Sequence, residues 1–323
     1  MNADLKREHS SPQAANTMAA TPCNIEPLTP VAIARKAEQY AILKTGRSVG
    51  CAFSLAISAG AFIALAFIFY VSVTTGNGDM GWGIQRLIGG LCFSMGIMLV
   101  IVLGGELFTS TVLSAVPRAS GMISTAQMLK NWTIVYAGNL VGALAMVALM
   151  MLAKQYMLAN SQWGVTALNI ASHKLEHSFS QAVVLGILCN ILVCLAIWMA
   201  YAARTMMEKA FIVMLPVAMF VAAGFEHCVA NMFMIPLGIA IQHFAPAEFW
   251  QAAGVSADHY AHLNIPNFIS LNLIPVTIGN IIGGAGIVGL GYWRLAIPEG
   301  TASPAPTPTT ASQPPLKPQH STR

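Results

Sequence analysis

Charged side chains are scarce in this sequence. Of its 323 residues only 9% are Asp, Glu, Lys or Arg, whereas 56% are hydrophobic, and the mean hydropathy is +0.64. A soluble protein of this size needs more charge to cover its surface, so the composition excludes a soluble globular fold and indicates a polytopic membrane protein. The net charge of +4 resides mostly in the termini and short loops. It is therefore a topology signal, and we expect no nucleic-acid partner.

Patterns typical of metal centres, disulfide frameworks and secretion signals are also missing. None of the six cysteines forms a CxxC pair, and five of them lie in apolar segments. Buried, unreactive thiols are therefore expected, and we predict no metal and no cofactor. Residues 1–47 contain six Lys or Arg, four Asp or Glu and no apolar run, which predicts that there is no cleavable signal peptide. The six cysteines are Cys23, Cys51, Cys92, Cys189, Cys194 and Cys228.

Long uncharged stretches alternate with short polar connections, and about 20 apolar residues suffice for a helix to cross a bilayer. They predict an all-α membrane protein with six transmembrane helices, of which the second and fifth are broken. The predicted spans are 48–78, 87–116 with a break at 104–106, 131–153, 178–203, 210–241 with a break in its middle, and 267–293. Residues 154–177 are expected to be a polar connection, and a loop of about 25 residues precedes the sixth span.

These assignments divide the chain into three predicted regions. Residues 1–47 are predicted to be a cytoplasmic segment with one short amphipathic helix that starts at Thr29-Pro30 and carries Val31, Ala34 and Ala41 on its apolar face. Residues 48–296 form the six-helix transmembrane channel domain. Residues 297–323 are predicted to be a disordered cytoplasmic tail, because seven prolines fall within 26 residues from Pro298.

The distribution of basic residues predicts the orientation. With the N-terminus inside, the cytoplasmic segments hold 13 of the 16 Lys and Arg residues, in agreement with the positive-inside rule. We therefore expect a multi-pass protein of the inner (plasma) membrane with both termini in the cytoplasm.

The segment Met214–Gly238 is the most informative stretch of the chain. Its only ionisable side chains are Glu226 and His227, which lie near its middle, between Gly224 and Pro236. An ionisable pair at mid-depth is costly and is usually functional. Glycine and proline around it suggest an interrupted helix, and irregular backbone at membrane depth survives only inside protein or along a cavity. The segment is therefore predicted to line a path for a polar solute.

An internal repeat supports the same architecture. Asn131-x3-Val135-x2-Gly138-Asn139-x2-Gly142 in the third span matches Asn272-x3-Val276-x2-Gly279-Asn280-x2-Gly283 in the sixth, and Gly104-x-Glu106 matches Gly224-x-Glu226. Three spans separate the copies, so the halves must be inverted relative to each other, as in many channels and transporters. The alternative is that glycines recur by chance because they permit close helix packing.

These positions have structural as well as functional explanations. Glu106 and Glu226 could accept hydrogen bonds from N–H groups freed at the breaks, and Asn139 and Asn280 could bind either that backbone or a passing ligand. His227 could be a buried core residue, but its place at a broken helix favours a function. Some helix faces consist mainly of small residues, which pack closely against other helices and are not expected to face lipid alone. These faces predict a homo-oligomer. Those faces carry Gly138, Gly142, Gly283 and Gly286.

Four strings in the chain resemble the formate/nitrite transporter family, and within it the formate-channel branch. They are GGELFTSTVL (104–113), KNW…YAGNLVGAL (130–144), LPVAMFVAAGFEHCVANMFMIPLG (215–238) and NLIPVTIGNIIGG (272–284). The likeness covers about residues 25–295. It implies an aquaporin-like fold, a homopentamer with one pore in each protomer, and formate or a similar small monocarboxylate as the substrate.

The same resemblance implies roles for individual residues. Thr109 and His227 would face each other in the pore, Lys174 would draw anions to the outer vestibule, and Asn280 would line the path. Apolar constrictions would be formed by Phe93, Ile97, Leu107 and Phe220. Ile97 stands where the family has leucine, and this departure leaves the constriction apolar.

Other functions are less consistent with the residues. A water or glycerol channel of similar shape would carry paired Asn-Pro-Ala motifs, and this sequence has none. The other class is a membrane enzyme that uses Glu226 and His227 for acid/base or metal chemistry. A metal needs three or four converging ligands, whereas His243, His259 and His262 lie beyond the pore segment, on the loop side. Proton-coupled formate uptake at acid pH is expected, with a nitrite or other small-anion proton symporter as the alternative. Between a passive channel and a proton-coupled carrier, the sequence leaves both open.

Overall fold

A computed structural model describes residues 28–76, 78 and 80–296, and within these residues it contains helices and no strand. The predictions for residues 1–27 and for the tail 297–323 lie outside the described residues. In chain order, helices α1 to α14 are Pro30–Thr45, Val49–Thr74, Trp82–Leu103, Phe108–Thr111, Ala115–Ala119, Thr125–Leu152, Gln162–Leu175, Phe179–Ala202, Met206–Ala222, Cys228–Phe244, Ala247–Ala253, Ile265–Asn267, Ile274–Ile281 and Gly291–Ala296. The π-helical turns Phe268–Leu273 and Ile282–Leu290 join α12, α13 and α14 into one long helix.

Five of the described helical segments are long and apolar enough to cross a membrane: α2, α3, α6, α8 and the helix that ends in α14. The count becomes six if the bent pair Cys228–Phe244 and Ala247–Ala253 is taken as one span. The all-helical, multi-span fold predicted from the uncharged stretches is therefore confirmed.

The two predicted helix breaks have the same backbone geometry. Helix α3 ends at Gly104 with φ 75°, and α9 is followed by Gly224 with φ 76°, a left-handed conformation in which glycine avoids a Cβ clash. The chain then runs extended until α4 starts after Leu107 and α10 starts after His227. Equal breaks in the second and fifth spans are what an inverted repeat requires.

Pro236 has a different place from the one predicted. It lies inside the continuous helix α10, whereas the break falls before Cys228. A proline removes one helical hydrogen bond without ending the helix when packing supports both sides, and both neighbours of Pro236, Ile235 and Leu237, are fully buried.

The repeated glycines pack helices within one protomer, so Gly138, Gly142 and Gly283 do not support the predicted oligomer. A Cβ atom on Gly142 would meet the Ile57 carbonyl of α2, and a Cβ atom on Gly283 would meet the Ile187 carbonyl of α8. The crossing of α2 with α6 in the first half of the repeat is therefore equivalent to the crossing of α8 with the sixth span in the second half. Gly286 meets no atom within 4 Å.

Helix α1 begins as predicted, with the Thr29 side chain accepting a hydrogen bond from the Ala32 amide and Pro30 in the first turn. Its buried face carries Ala34 and Ala41, but Val31 is exposed, contrary to the predicted face. Helix α1 therefore packs on the bundle through small residues, close to the break after α3.

The predicted polar connection 154–177 is in part a packed helix. Helix α7 buries Trp163 and Leu168 completely or nearly so, and the Trp163 indole donates to the Ser72 hydroxyl at 3.0 Å. Its polar residues lie on the opposite side, which made the segment look like a loop in sequence. Among the five thiols predicted to be buried, Cys189, Cys194 and Cys228 are buried, whereas Cys92 is half-buried and Cys51 is exposed.

Candidate functional site: a buried Thr–His pair between two vestibules

Asn139 satisfies the backbone at the first break. Its side-chain oxygen accepts from the Phe108 amide at 2.8 Å, and its nitrogen donates to the carbonyls of Ala56 and Glu106, both at 2.8 Å. The residue is fully buried. One amide side chain therefore provides partners for both backbone ends that the break leaves unpaired.

Asn280 does the same at the second break. Its oxygen accepts from the Cys228 amide at 2.9 Å, and its nitrogen donates to the carbonyls of Gly186 at 2.8 Å and Glu226 at 2.9 Å. Of the two roles considered for these asparagines, the geometry fits the backbone one. With every hydrogen-bonding atom of its amide engaged by backbone, Asn280 has little left to offer a passing solute, although the resemblance implied that it lines the path.

The two glutamates bind cationic side chains instead of the broken backbone, which corrects their predicted structural role. Glu106 pairs with Arg47 and with Lys44, whose ammonium lies 3.2 Å from the carboxylate. Both cations come from the end of α1 and the turn after it. The carboxylate at the first break therefore holds α1 against the bundle.

Glu226 pairs with Lys174, with 2.8 Å between Nζ and Oε1. Its second oxygen accepts from the side-chain amides of Asn231 at 2.6 Å and Asn272 at 3.1 Å. The Lys174 side chain is only 12% exposed. Lys174 lines a vestibule as expected, but its charge is neutralised by Glu226, which weakens the idea that it attracts anions from a distance.

His177 is the second basic group near Glu226, with its Nε2 atom 3.9 Å from the carboxylate. Burial lowers the pKa of His177, and the Glu226 carboxylate opposes that shift only in part. The ring is therefore neutral at pH 7, and Lys174 is the partner that compensates the buried charge of Glu226.

Lys174→Gln is expected to destabilise the protein by about 3–5 kcal/mol, because it leaves the buried Glu226 carboxylate without a counter-charge. Lys174→Gln combined with Glu226→Gln should recover most of that loss, since the two amides remove both charges together. Thermal unfolding of the purified variants measures the difference. A double variant no more stable than Lys174→Gln would show that the pair is not the source of the effect.

Thr109 and His227 face each other across the two breaks, as the resemblance implied. The Thr109 hydroxyl lies 3.0 Å from His227 Nε2, and the two residues are 0% and 3% exposed. His227 is the N-cap of α10, because its Nδ1 atom accepts from the Ala230 amide at 3.1 Å. Nδ1 therefore carries no hydrogen, and the neutral ring donates from Nε2 to the Thr109 oxygen.

The Thr109 hydroxyl hydrogen is not used within this pair. When the Thr109 oxygen accepts from His227, its own hydroxyl hydrogen has no acceptor among the described residues. Asn190 and Cys194 fix the residue from behind by donating to the Thr109 carbonyl at 3.0 and 3.3 Å. The pair thus presents a fixed hydroxyl donor at the centre of the bundle, where a bound solute could accept from it.

Aromatic rings close one side of this centre. The Phe93 and Phe220 rings pack edge to face with centroids 5.9 Å apart, and Phe220 stacks on the His227 ring at 5.9 Å. Ile97 lies on α3 between Phe93 and Val100 and is 3% exposed, and Leu107 is fully buried. All four residues predicted as constrictions are therefore buried apolar side chains close to the breaks.

Two vestibules approach the pair from opposite ends. The α7 vestibule, about 390 Å³, is lined by Phe93, Phe220, Lys174 and His227 among others. The α1 vestibule, about 380 Å³, is lined by residues from α1, α3, α8 and α9 and by Ser110, the neighbour of Thr109. Ile97 lies on α3 between the residues that line the two cavities, so apolar side chains and the Thr109–His227 pair separate them.

Sequence reasoning missed several residues of this centre. Arg86 donates to the carbonyls of Ala222 at 2.9 Å and Val221 at 3.2 Å, where α9 ends, and it lines the α7 vestibule. An arginine next to an apolar span was the available signal, since a buried helix C-terminus needs donors. Asn231 and Asn272 hold the Glu226 carboxylate, a role that sequence reasoning did not assign although Asn272 is a repeat position. Polar residues within apolar spans were the available signal.

Two three-span halves of opposite orientation, each with a helix broken at the centre of the bundle, define a membrane channel or transporter. The chain belongs to the formate/nitrite transporter family, whose model, described as formate/nitrite transporter, matches residues 31–294.

Named relatives of high similarity are formate channels. The chain is 55% identical over 272 residues to the formate channel FocA of Escherichia coli strain K12, which covers 84% of this chain and 95% of that protein. It is 51% identical over 263 residues to the formate channel FocA of Haemophilus influenzae, with 81% and 93% covered. A solved structure described as a pentameric formate channel with formate bound superposes with a TM-score of 0.74 at 52% identity, covering 76% of this chain and 97% of that one.

Proposed function

We propose that this protein is a formate channel of the inner membrane that conducts formate and related small monocarboxylates. The observation that carries the proposal is the buried Thr109–His227 pair between two vestibules, because its Thr109 hydroxyl offers a hydrogen-bond donor to a carboxylate inside an otherwise apolar bundle. The resemblance to relatives named as formate channels supports the choice of solute. Purified protein in liposomes should accelerate the counterflow of labelled formate relative to empty liposomes, and an unchanged rate would refute the proposal.

The solute is held and made neutral at the pair. A bare carboxylate cannot pass between the Phe93 and Phe220 rings cheaply, because desolvating it costs many kcal/mol. The Thr109 hydroxyl binds the anion, and protonation of the anion by the nearby His227 removes its charge before it crosses the rings. His227 lines the α7 vestibule, so it is recharged from that side. Proton-coupled uptake at acid external pH is the consequence.

The resting geometry adds a condition to this mechanism. His227 Nδ1 accepts from the Ala230 amide, so the ring can gain a second proton only if that hydrogen bond opens. The positive end of the α10 dipole also opposes a cation at the N-cap. His227 is therefore neutral at rest, and it carries a proton only transiently, when an anion is bound beside it to balance the charge.

The orientation follows from the basic residues. The α1 vestibule faces the cytoplasm and the α7 vestibule faces outward, with both termini inside, because 13 of the 16 Lys and Arg residues then lie on the cytoplasmic side. Cysteine-accessibility labelling of an engineered cysteine at Gln162, at the start of α7, from the outside of intact cells would check this arrangement.

A homopentamer is the proposed assembly, on the strength of the solved relative described as pentameric. Exposed apolar side chains on the outer helices, such as Leu152 and Leu215, leave surface for contacts with other protomers and with lipid. Native mass spectrometry in mild detergent should show a species of about five times 34.2 kDa. A stable monomer as the main species would contradict the assembly.

A further inference from the structure

The charged side chains that line the α1 vestibule are all cationic. They are Lys36, Lys44, Arg47 and Lys209. Lys44 and Arg47 are committed to the Glu106 carboxylate at the break. One carboxylate therefore stands against four cations, and the cavity keeps an excess of positive charge.

Lys36 and Lys209 supply this excess. Lys36 lies on α1 and Lys209 lies in the first turn of α9, and both residues are half-buried. Their ammonium groups form no ion pair and no hydrogen bond with any residue in the described part of the chain. Because both ammonium groups line the same cavity without a carboxylate partner, a ligand that supplies negative charge is favoured there.

The opposite vestibule shows that this charge excess is not imposed by the inverted repeat. In the α7 vestibule Arg86 is committed to the carbonyls at the end of α9, and Lys174 is committed to Glu226. The two breaks have the same backbone geometry, yet only the α1 side keeps uncommitted cations. The positive-inside rule accounts for basic residues on this side, but it does not require two of them to line one cavity without a carboxylate partner. This arrangement points to an additional anionic ligand on the α1 side.

Size and shape restrict the ligand. The cavity of about 380 Å³ is far larger than a one-carbon acid, and its wall includes Tyr40 and Tyr201, whose rings stack with centroids 5.3 Å apart. The stacked rings connect α1 to α8, and their hydroxyl groups add hydrogen-bond donors. Because Lys36 and Lys209 come from different helices, one ligand with two anionic groups can satisfy both.

We propose that the α1 vestibule is a regulatory binding site for small organic dicarboxylates. A bound dicarboxylate bridges Lys36 of α1 and Lys209 of α9 and occupies the mouth of the path. It does not cross, because two charges would have to be removed at the apolar constriction. Occupancy therefore inhibits formate flux from the α1 side; this second statement rests on the proposed function, whereas the binding itself does not.

The test uses the full chain in detergent, with succinate as the probe and acetate as the control at equal ionic strength. Isothermal titration calorimetry is expected to show succinate binding at least tenfold tighter than acetate. Lys36→Gln combined with Lys209→Gln should weaken succinate binding at least tenfold. Arg35→Gln is the matched control, because Arg35 is an exposed cation on the same helix that does not line the cavity, and its effect should stay within twofold.

A flux measurement separates this inference from the proposed function. In liposomes, succinate on the α1 side should lower formate counterflow at least twofold in the wild type and leave it unchanged in the double variant. Succinate binding without any formate flux would overturn the proposed function alone. Equal affinity for succinate and acetate, or an equal loss in Arg35→Gln and in the double variant, would overturn the dicarboxylate site.

Discussion

His227→Asn is expected to give a folded channel that has lost the acid stimulation of formate uptake. The asparagine oxygen can accept from the Ala230 amide as His227 Nδ1 does, and asparagine is among the best N-cap residues, so α10 should keep its start. Asparagine cannot carry a proton at any physiological pH. The substitution therefore removes proton transfer while it preserves size, polarity and the local hydrogen bond.

The free-energy cost of moving a charged anion predicts that His227→Asn has a large effect on uptake. In water, proton transfer from an imidazolium of pKa ~6.5 to a carboxylate of pKa ~4 costs about 3 kcal/mol. In the closed centre both charges disappear in the transfer, so the cost of desolvating them offsets most of this penalty. Without the histidine the anion must pass the Phe93 and Phe220 rings charged. The acid-stimulated part of uptake should fall at least tenfold.

Formate uptake into liposomes at external pH 5 and pH 7, corrected for empty liposomes, measures this effect. Thr109→Ser is the matched control, because it keeps the hydroxyl that faces His227 and should retain the pH dependence. If His227→Asn takes up formate with the pH dependence of the wild type, the proton-transfer mechanism is wrong and His227 serves only as a cap.

Asn139→Ala should cost about 2–6 kcal/mol of stability. The alanine leaves the Phe108 amide and the Glu106 carbonyl buried and without partners, and each such group costs about 1–3 kcal/mol. The third partner, the Ala56 carbonyl, belongs to helix α2 and keeps its helical acceptor role. The loss therefore comes from these two backbone groups at the break.

Asn131→Ala provides a control on the same helix. Asn131 is 5% exposed, and its side-chain oxygen is buried without a hydrogen-bond partner, so its removal should be neutral or stabilising. Both variants make the same chemical change in α6 and differ only in the hydrogen bonds lost. Thermal unfolding in detergent compares them, and an equal effect in the two variants would contradict the bracing role of Asn139.

Equivalent positions of the sequence repeat do not always have equivalent side-chain partners. Asn131 matches Asn272 in the repeat, but Asn272 holds the Glu226 carboxylate while Asn131 bonds to no side chain near Glu106. Asn139 and Asn280, in contrast, do the same work at the two breaks. A shared pattern predicted the shared backbone geometry correctly, and it did not predict which side chains had kept a common partner.

By itself the sequence determined the membrane class, the positions of the spans and the two breaks. Apolar length and glycine placement act along the chain, so they can be seen in the order of the residues. Only the tertiary structure decided which groups meet: Glu106 pairs with cations near α1, Glu226 pairs with Lys174, and the glycines pack helices of the same protomer. Those partners lie about 50 to 100 residues apart along the chain, and their contacts depend on how the broken helices cross, which no local pattern specifies.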